Sequence, residues 1–347
     1  MANYPNPLLD RRRFLRRSFQ VAAAGAFVGV AGCSSTSSKS ASGPSTTAAP
    51  KNVKVQLPWL ENVQFAGTYL GLKNGYFSSD GLAVSLTPGG PNITVEPVVE
   101  QGGALIGLSE VDSTAAARAQ GATLKVFGAK YQQNPYCVAS PADKPISSPQ
   151  ELVGKKVGVS IDDMTAYDLL LKLNGLSSSQ TTVIPVQFDP SPLANGTIDA
   201  LVAFITNETV TLQLRGFPIH TFLFADYKYQ IYDDVYIATE ETIATQPDVL
   251  AAYLRAERKG WQDDIADPQQ GVNLAVDTYG KSLSLDPKQQ LLENQAQIPL
   301  LQNSYTKAHG LFSMDPATIA ANIATLAVAG TSVKATDLFT TTILDLL

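Results

Sequence analysis

Trp59, Asn62, Gln64 and Phe65 stand close together in the stretch Val53 to Pro91, VKVQLPWLENVQFAGTYLGLKNGYFSSDGLAVSLTPGGP. An indole and a phenyl ring beside two carboxamides can stack on a small polar aromatic molecule and hydrogen-bond its edge. Further polar or aromatic positions recur where segments change character: Gly89 and Gly90, Glu110, Tyr131, Thr165 beside Asp162 and Asp163, Asn207 and Glu208, and Tyr236. The chemistry these residues support is recognition. With only His220 and His309, and only Cys33 and Cys137, no zinc site of the usual ligand set can be assembled. Nucleophile elbow, P-loop and dinucleotide fingerprint are all missing from the sequence. The expectation is a binding protein without catalytic residues, cofactor or metal.

The elements that must position these residues follow from the apolar pattern. Val53, Val55 and Leu57 alternate as a strand, a helix follows over about Phe65 to Lys73, and Ala83 to Thr87 is a second strand, which together make a βαβ unit. The Trp59 loop thus lies at the carboxyl end of the first strand, where open α/β sheets collect ligands. The alternation continues with a helix over Thr94 to Val99, a strand over Ala104 to Leu108 followed by a strand-end loop that carries Glu110, an Ala-rich helix over Ser113 to Gln120, and a strand over Leu124 to Ala129. A second series has strands over Lys156 to Val159, Val183 to Phe188 and Asp199 to Phe204. Asp162, Asp163 and Thr165 cap one helix of that series, and Asn207 and Glu208 precede another. Such alternation implies mainly parallel sheets with helices on both faces. Cys137 to Ser140 reads as a strand running out of the first lobe, and the C-terminal third is helical: Gln246 to Asp264, Pro268 to Lys281, Pro287 to Leu301 and Pro316 to Leu326.

The first 33 residues read as an export segment. Arg11, Arg12, Arg13, Phe14, Leu15 and Arg16 fit a twin-arginine pattern, an apolar run from Val21 to Ala31 follows, and Val30-Ala31-Gly32-Cys33 resembles a lipobox. Cys33 is then the lipidated N-terminus, and the Ser/Thr/Ala/Pro segment 34–50 is a flexible tether. Removing five arginines and Asp10 leaves 20 basic against 30 acidic side chains, a net charge of −10, which argues against nucleic acid as a partner. Cys137, in the apolar run Tyr136 to Ala139, reads as a small core residue.

The motifs Trp59 with Gln64-Phe65-Ala66-Gly67, Gly75-Tyr76-Phe77 with Gly81-Leu82, Pro88-Gly89-Gly90, Ala119-Gln120-Gly121-Ala122, the segment Ile146 to Val159, Gly196-Thr197-Ile198-Asp199-Ala200-Leu201, Asn207-Glu208 and Lys259-Gly260-Trp261 occur in that order. Together they resemble the NMT1/THI5-like solute-binding proteins of ABC importers. The resemblance implies a type II periplasmic-binding-protein fold, two α/β lobes joined by two crossovers with a ligand cleft between them. Lobe 1 is expected over 51–140 and 237–347, and lobe 2 over 141–236. It also implies a monomer on the outer face of the cell membrane, working with a permease and its ATPase.

Members of this group take thiamine-precursor aminopyrimidines, and relatives carry riboflavin, nitrate or sulfonates. Glu110 and Glu208 would repel an anion, whereas an aminopyrimidine can pair its ring nitrogen and amine with a carboxyl group and stack on Trp59. Glu208 is the expected hydrogen-bonding partner, although it could simply serve the helix that follows. Trp59 and Phe65 could likewise cap the core, Gly89 and Gly90 could be a turn, and Tyr131 and Tyr236 could be hinge packing. Pyrimidine-binding relatives often carry Pro-Asn and a histidine after the tryptophan, where this chain has Leu60-Glu61-Asn62 and Gln64, so riboflavin stays open. A tethered sensor and a pyrimidine-synthase-like enzyme are the other classes. The histidine and cysteine-rich iron motif of such a synthase have no counterpart in the sequence.

Overall fold

A computed structural model of the chain describes residues 49–90, 93–161, 163–187 and 189–347. The export segment, Cys33, the tether as far as residue 48, Asp162 and Phe188 lie outside the described residues. No helix among the described residues is long and apolar enough to cross a membrane.

The strands are β1 (Lys51–Gln56), β2 (Leu82–Thr87), β3 (Ile106–Ser109), β4 (Leu124–Tyr131), β5 (Tyr136–Pro141), β6 (Lys156–Val159), β7 (Thr182–Pro185), β8 (Ala200–Phe204), β9 (Ile219–Leu223) and β10 (Asp233–Thr239). They form two five-stranded sheets, in the orders β2-β1-β3-β10-β4 and β7-β6-β8-β5-β9. The two-lobed α/β architecture expected from the sequence is present, and each sheet contains one strand that runs against its neighbours. In the first sheet this is β10, antiparallel to β3 and β4; in the second it is β5, antiparallel to β8 and β9. These are the two strands that arrive from the other sheet. A chain entering from the opposite lobe meets its new sheet at the carboxyl edge, so it has to run backwards through it.

The crossings therefore fall at 132–135 and 228–232. The expected boundaries at 140/141 and 236/237 would separate β5 and β10 from the sheets in which they pair. Cys137 to Ser140 does form a strand, but it opens the second lobe instead of leaving the first. Its apolar character marks a buried strand, and partner choice is a matter of tertiary packing that character alone does not specify.

Helix Ala66–Lys73 crosses helix Pro247–Ala266 at close range. A Cβ on Gly260 would lie 2.0 Å from the Gly67 carbonyl oxygen, and one on Gly67 would lie 2.3 Å from the Trp261 ring. The small residues of Gln64-Phe65-Ala66-Gly67 and Lys259-Gly260-Trp261 are thus explained by packing. They fix where the helix after the Trp59 loop begins.

Three of the C-terminal helices start with the same device. Asp267, Asp286 and Asp315 cap helices Pro268–Leu274, Pro287–Leu301 and Pro316–Ala329, accepting backbone hydrogen bonds from Gln269, Gln289 and Ala317. The Pro287–Leu301 helix packs on the first lobe and reaches the second through helix Glu208–Leu214. The Pro316–Ala329 helix rests on helix Val111–Ala119 of the first lobe and helix Met164–Leu173 of the second, so the helices do not all return to the first lobe as expected. Cys137 is fully buried and unbridged, and burial pushes its thiol pKa up, in keeping with a packing role.

Candidate ligand-binding site

The carboxyl ends of the two sheets enclose a cavity of about 510 Å³, within the range of small-molecule sites. On its first-lobe side the loop after β1 supplies Trp59, Asn62 and Gln64. Asn62 caps a short turn by accepting the Gln64 N–H at 3.0 Å. The Pro58–Trp59 segment lies so close to the 88–90 turn that a Cβ on Gly89 would be 2.3 Å from the Pro58 carbonyl carbon. The Gly89 N–H donates to the Trp59 carbonyl at 2.9 Å, and Gly90 lines the cavity with φ +146. The glycine pair holds the indole-bearing segment in place, and Gly90 alone faces the open space.

A buried amide stripe on the Pro287–Leu301 helix fixes the same loop from behind. The Val63 N–H donates to Gln290 Oε1 at 2.8 Å, and Gln297 Nε2 donates to the Val63 carbonyl at 2.8 Å. Gln297 Oε1 also accepts from the Tyr131 hydroxyl at 2.6 Å, which sets the position of that cavity-lining ring. Every polar group of Val63 is paired by this helix, and no water is required there.

The second-lobe wall comes from β5, the Met164–Leu173 helix start, and the β8 end. Tyr136 and Phe204 meet edge to face at 4.6 Å, and the Tyr136 hydroxyl donates to Asp163 Oδ1 at 3.0 Å. Glu208 is 8% exposed; its Oε2 accepts the Phe204 N–H at 2.9 Å, and Asn207 Nδ2 reaches its Oε1 at 3.4 Å. Gln289 Nε2 spans the lobes, donating to Glu293 Oε1 at 2.7 Å and to Thr211 Oγ1 at 3.1 Å.

The cavity is acidic. Glu96, Glu110, Asp233, Asp234 and Glu293 line it from the first lobe, Asp163 and Glu208 from the second, and among the described residues no lysine, arginine or histidine lines it. Burial pushes Glu110 well above the usual carboxylate range, helped by the charges of Asp233, Asp112, Asp163 and Glu96. Asp233 is raised well above its ordinary value too, first by burial and then by Asp234. Glu208 is raised to about 8 by burial, against the pull of the Phe204 N–H, and Glu293 to about 7 by burial, against the amides of Gln289 and Gln290.

Behind this wall the fully buried Lys130 ammonium pairs with Asp234 and donates to the Gln64 carbonyl at 2.8 Å. It sits 4.2 Å from the Tyr131 ring centroid and 5.1 Å from that of Trp261. Burial lowers its pKa, and Asp234 opposes that shift. The same aspartate accepts from Gln64 Nε2 at 2.9 and 3.0 Å. Asp234 has φ +46, a left-handed conformation that Asp tolerates better than most side chains. Consecutive strand residues normally face opposite sides of a sheet; this local turn allows both Asp233 and Asp234 to face the cavity.

Of the residues singled out in the sequence, the cavity brings together Trp59, Asn62, Gln64, Gly90, Glu110, Tyr131, Asn207 and Glu208. Four do not line it. Phe65 is fully buried in the first-lobe core, because it starts the helix and turns inward from the loop. Tyr236 is also fully buried, its hydroxyl donating to Glu257 Oε1 at 3.1 Å in a core network shared with Trp261 and Thr68. Thr165 is exposed on the outer side of its helix, and the neighbouring Asp163 faces the cavity in its place. Gly89 is packed under the Trp59 segment. Sequence reasoning missed Tyr136, Asp163, Asp233, Asp234, Glu293 and Gln297. The Asp-Asp pair inside DYKYQIYDDVY was the available signal, whereas Glu293 belongs to a polar helix face whose burial only packing reveals. Neither histidine lines the cavity: His220 lies in β9 and His309 stacks on Tyr305.

Comparison with known proteins gives a match to the family described as NMT1/THI5 like over residues 62–271. The chain is 24% identical over 276 residues to the riboflavin-binding protein RibY of Chloroflexus aurantiacus, spanning 77% of this chain and 78% of that protein. It is 26% identical over 233 residues to the formylaminopyrimidine-binding protein of Halalkalibacterium halodurans, spanning 65% of this chain and 70% of the relative. Among solved structures, the periplasmic aliphatic sulphonate binding protein SsuA from Escherichia coli superposes with a TM-score of 0.62 at 13% identity, covering 80% of this chain and 91% of that one.

Proposed function

The chain belongs to the NMT1/THI5-like family, and from that premise we propose that it is the extracytoplasmic solute-binding component of an ABC importer, which captures a small heteroaromatic nutrient, a thiamine-precursor aminopyrimidine by preference, and delivers it to a permease. One observation carries the reading: among the described residues, a cavity between two sheets is lined by Trp59, Tyr131, Tyr136 and Phe204 together with seven carboxyl groups and no basic side chain. Aromatic faces hold a flat ring, and carboxyl groups engage its nitrogens and amine. A nitrate or sulfonate 4 Å from even one ionised carboxylate would meet about 4 kcal/mol of repulsion at an effective dielectric near 20. The likeness to the sulphonate-binding protein thus supports the fold and not the ligand. Riboflavin is the second reading, favoured by the long match to RibY.

Capture works by lobe closure around the ligand. Two short crossings, 132–135 and 228–232, connect the lobes, and Asn134 Nδ2 of the first donates to Asp233 Oδ2, at the start of the strand that follows the second, at 3.1 Å. Such paired segments act as hinges, and the permease reads the closed form. The twin arginines and Cys33 support export and lipid anchoring outside the cell membrane, with the folded part tethered through residues 34–50.

A thermal-shift panel tests the reading, because a ligand raises apparent stability as RT ln(1 + [L]/Kd). An aminopyrimidine should raise the melting temperature, and taurine and nitrate should not. A shift with taurine or nitrate alone would refute the assignment, and a shift with riboflavin alone would select the second reading.

A further inference from the structure

We propose that the ligand held in this cavity is a cation: a flat heteroaromatic base protonated or alkylated on a ring nitrogen, instead of a neutral ring or an anion. The proposal deepens the heteroaromatic-ligand reading above and rests on it.

Charge counting leads there first. Seven carboxyl groups face the cavity, and Lys130, which is packed behind its wall, pairs with Asp234. Setting Asp163 and the paired Asp234 aside, five of these groups, Glu96, Glu110, Glu208, Asp233 and Glu293, have no basic partner among the described residues. Burial, and after it the neighbouring acids, disfavours their ionised forms: Glu110 is raised by burial and then by Asp233, Asp112, Asp163 and Glu96, and Glu208 by burial with a contribution from Asp163 and Glu293. Buried carboxylates are tolerated only when paired with opposite charge or neutralised by a proton. A ligand cation supplies the pairing that the protein's own side chains do not.

The second observation is independent of charge. The same space is bounded by four aromatic side chains, with Trp59 on the first lobe and the edge-to-face Tyr136–Phe204 pair on the second. Aromatic faces attract delocalised cations beyond the attraction of simple burial. The protein already uses this arrangement once, holding the Lys130 ammonium among the rings of Tyr131, Trp261 and Phe65. A compact ammonium would satisfy the carboxylates but leave the aromatic walls unused; a flat cation uses both.

The position of the acids links ligand charge to the conformational cycle. Asp163 and Glu208 belong to the second lobe, and the other five acids to the first. Closing the empty cleft brings like-charged or protonated acids toward one another, whereas a cation between them turns that approach into attraction. The charge on the ligand thereby favours the closed form.

Isothermal titration of the ligand-free protein tests this with three probes of one shape: an N-methylated aminopyrimidinium, the parent aminopyrimidine, and the aniline in which ring nitrogens are replaced by CH. The pyrimidinium should bind at least about tenfold more tightly than the aniline. In Glu208→Gln and Glu110→Gln, with folding verified by circular dichroism, that ratio should narrow. Equal or tighter binding of the aniline, or binding of riboflavin with none of the pyrimidinium, overturns the proposal and leaves the heteroaromatic reading standing. Failure of all three probes and of riboflavin overturns both.

Discussion

Replacing Glu208 by glutamine should weaken ligand binding while making the empty protein more stable in mild alkali. The change is nearly isosteric, and the glutamine carbonyl can still accept the Phe204 N–H that now reaches Glu208 Oε2 at 2.9 Å. What it removes is the ability to ionise: below about pH 8 the buried carboxyl keeps its proton in the empty protein, and it can give that proton up to pair with a ligand's charged nitrogen. A hydrogen bond to a charged group contributes about 1.5–3 kcal/mol, so affinity for an aminopyrimidine should fall by about 10- to 150-fold. The empty protein responds in the opposite sense. Glu208 has a folded pKa of about 8 against an ordinary value of 4.5, raised by burial beside Asp163 and Glu293. Between those values the folded state holds a proton that the unfolded state has released, so stability falls as pH rises through this window. At about pH 9 the cost of burying the ionised group is on the order of 2–5 kcal/mol, and Glu208→Gln should recover much of it, raising the melting temperature by several degrees. Titration calorimetry and thermal melts at about pH 6 and about pH 9 read both effects. Wild-type affinity in the variant, or a lower melting temperature at the higher pH, would refute the reasoning.

Three other substitutions separate site from scaffold. Trp59→Ala removes a partly buried stacking wall and should weaken binding by at least about tenfold with little change in melting temperature, as calorimetry and melts will show. Gln297→Leu leaves the Tyr131 hydroxyl without its partner and the Val63 carbonyl with only the Ala66 N–H, so denaturant unfolding should show a loss of about 1–3 kcal/mol and titration a weaker ligand. Lys130→Met strands the buried Asp234 carboxylate and should destabilise by about 3–5 kcal/mol; adding Asp234→Asn should restore part of that, and a double variant no better than the single would contradict the pairing.

The architecture was legible in the sequence because alternating strands and helices have different periods and the Asp-Pro starts of the late helices are local signals. Sheet membership was less so. Cys137 to Ser140 has the apolar character of a buried strand, but whether β5 pairs with β4 or β8 depends on groups distant in sequence. For the cavity, strand-end position brought Trp59, Glu110 and Glu208 into view, since a residue after a strand has few places to go. The same rule misjudged Phe65 and Tyr236, where one residue of rotation turns a ring from the cleft into the core. It also passed over Asp233 and Asp234, which share a face only because the left-handed backbone at Asp234 breaks the alternation of β10. Glu293 and Gln297 were the hardest to see. They sit on a polar helix stripe that would ordinarily face water, and here it faces the Val63 loop.

The structure of the complex with an aminopyrimidine tests the central claim most directly. The account predicts the ring between the lobes, its face against the Trp59 indole and a nitrogen within about 3 Å of the Glu208 carboxyl group. A ring bound outside the cavity, or one inside it touching neither Trp59 nor Glu208, would contradict the account.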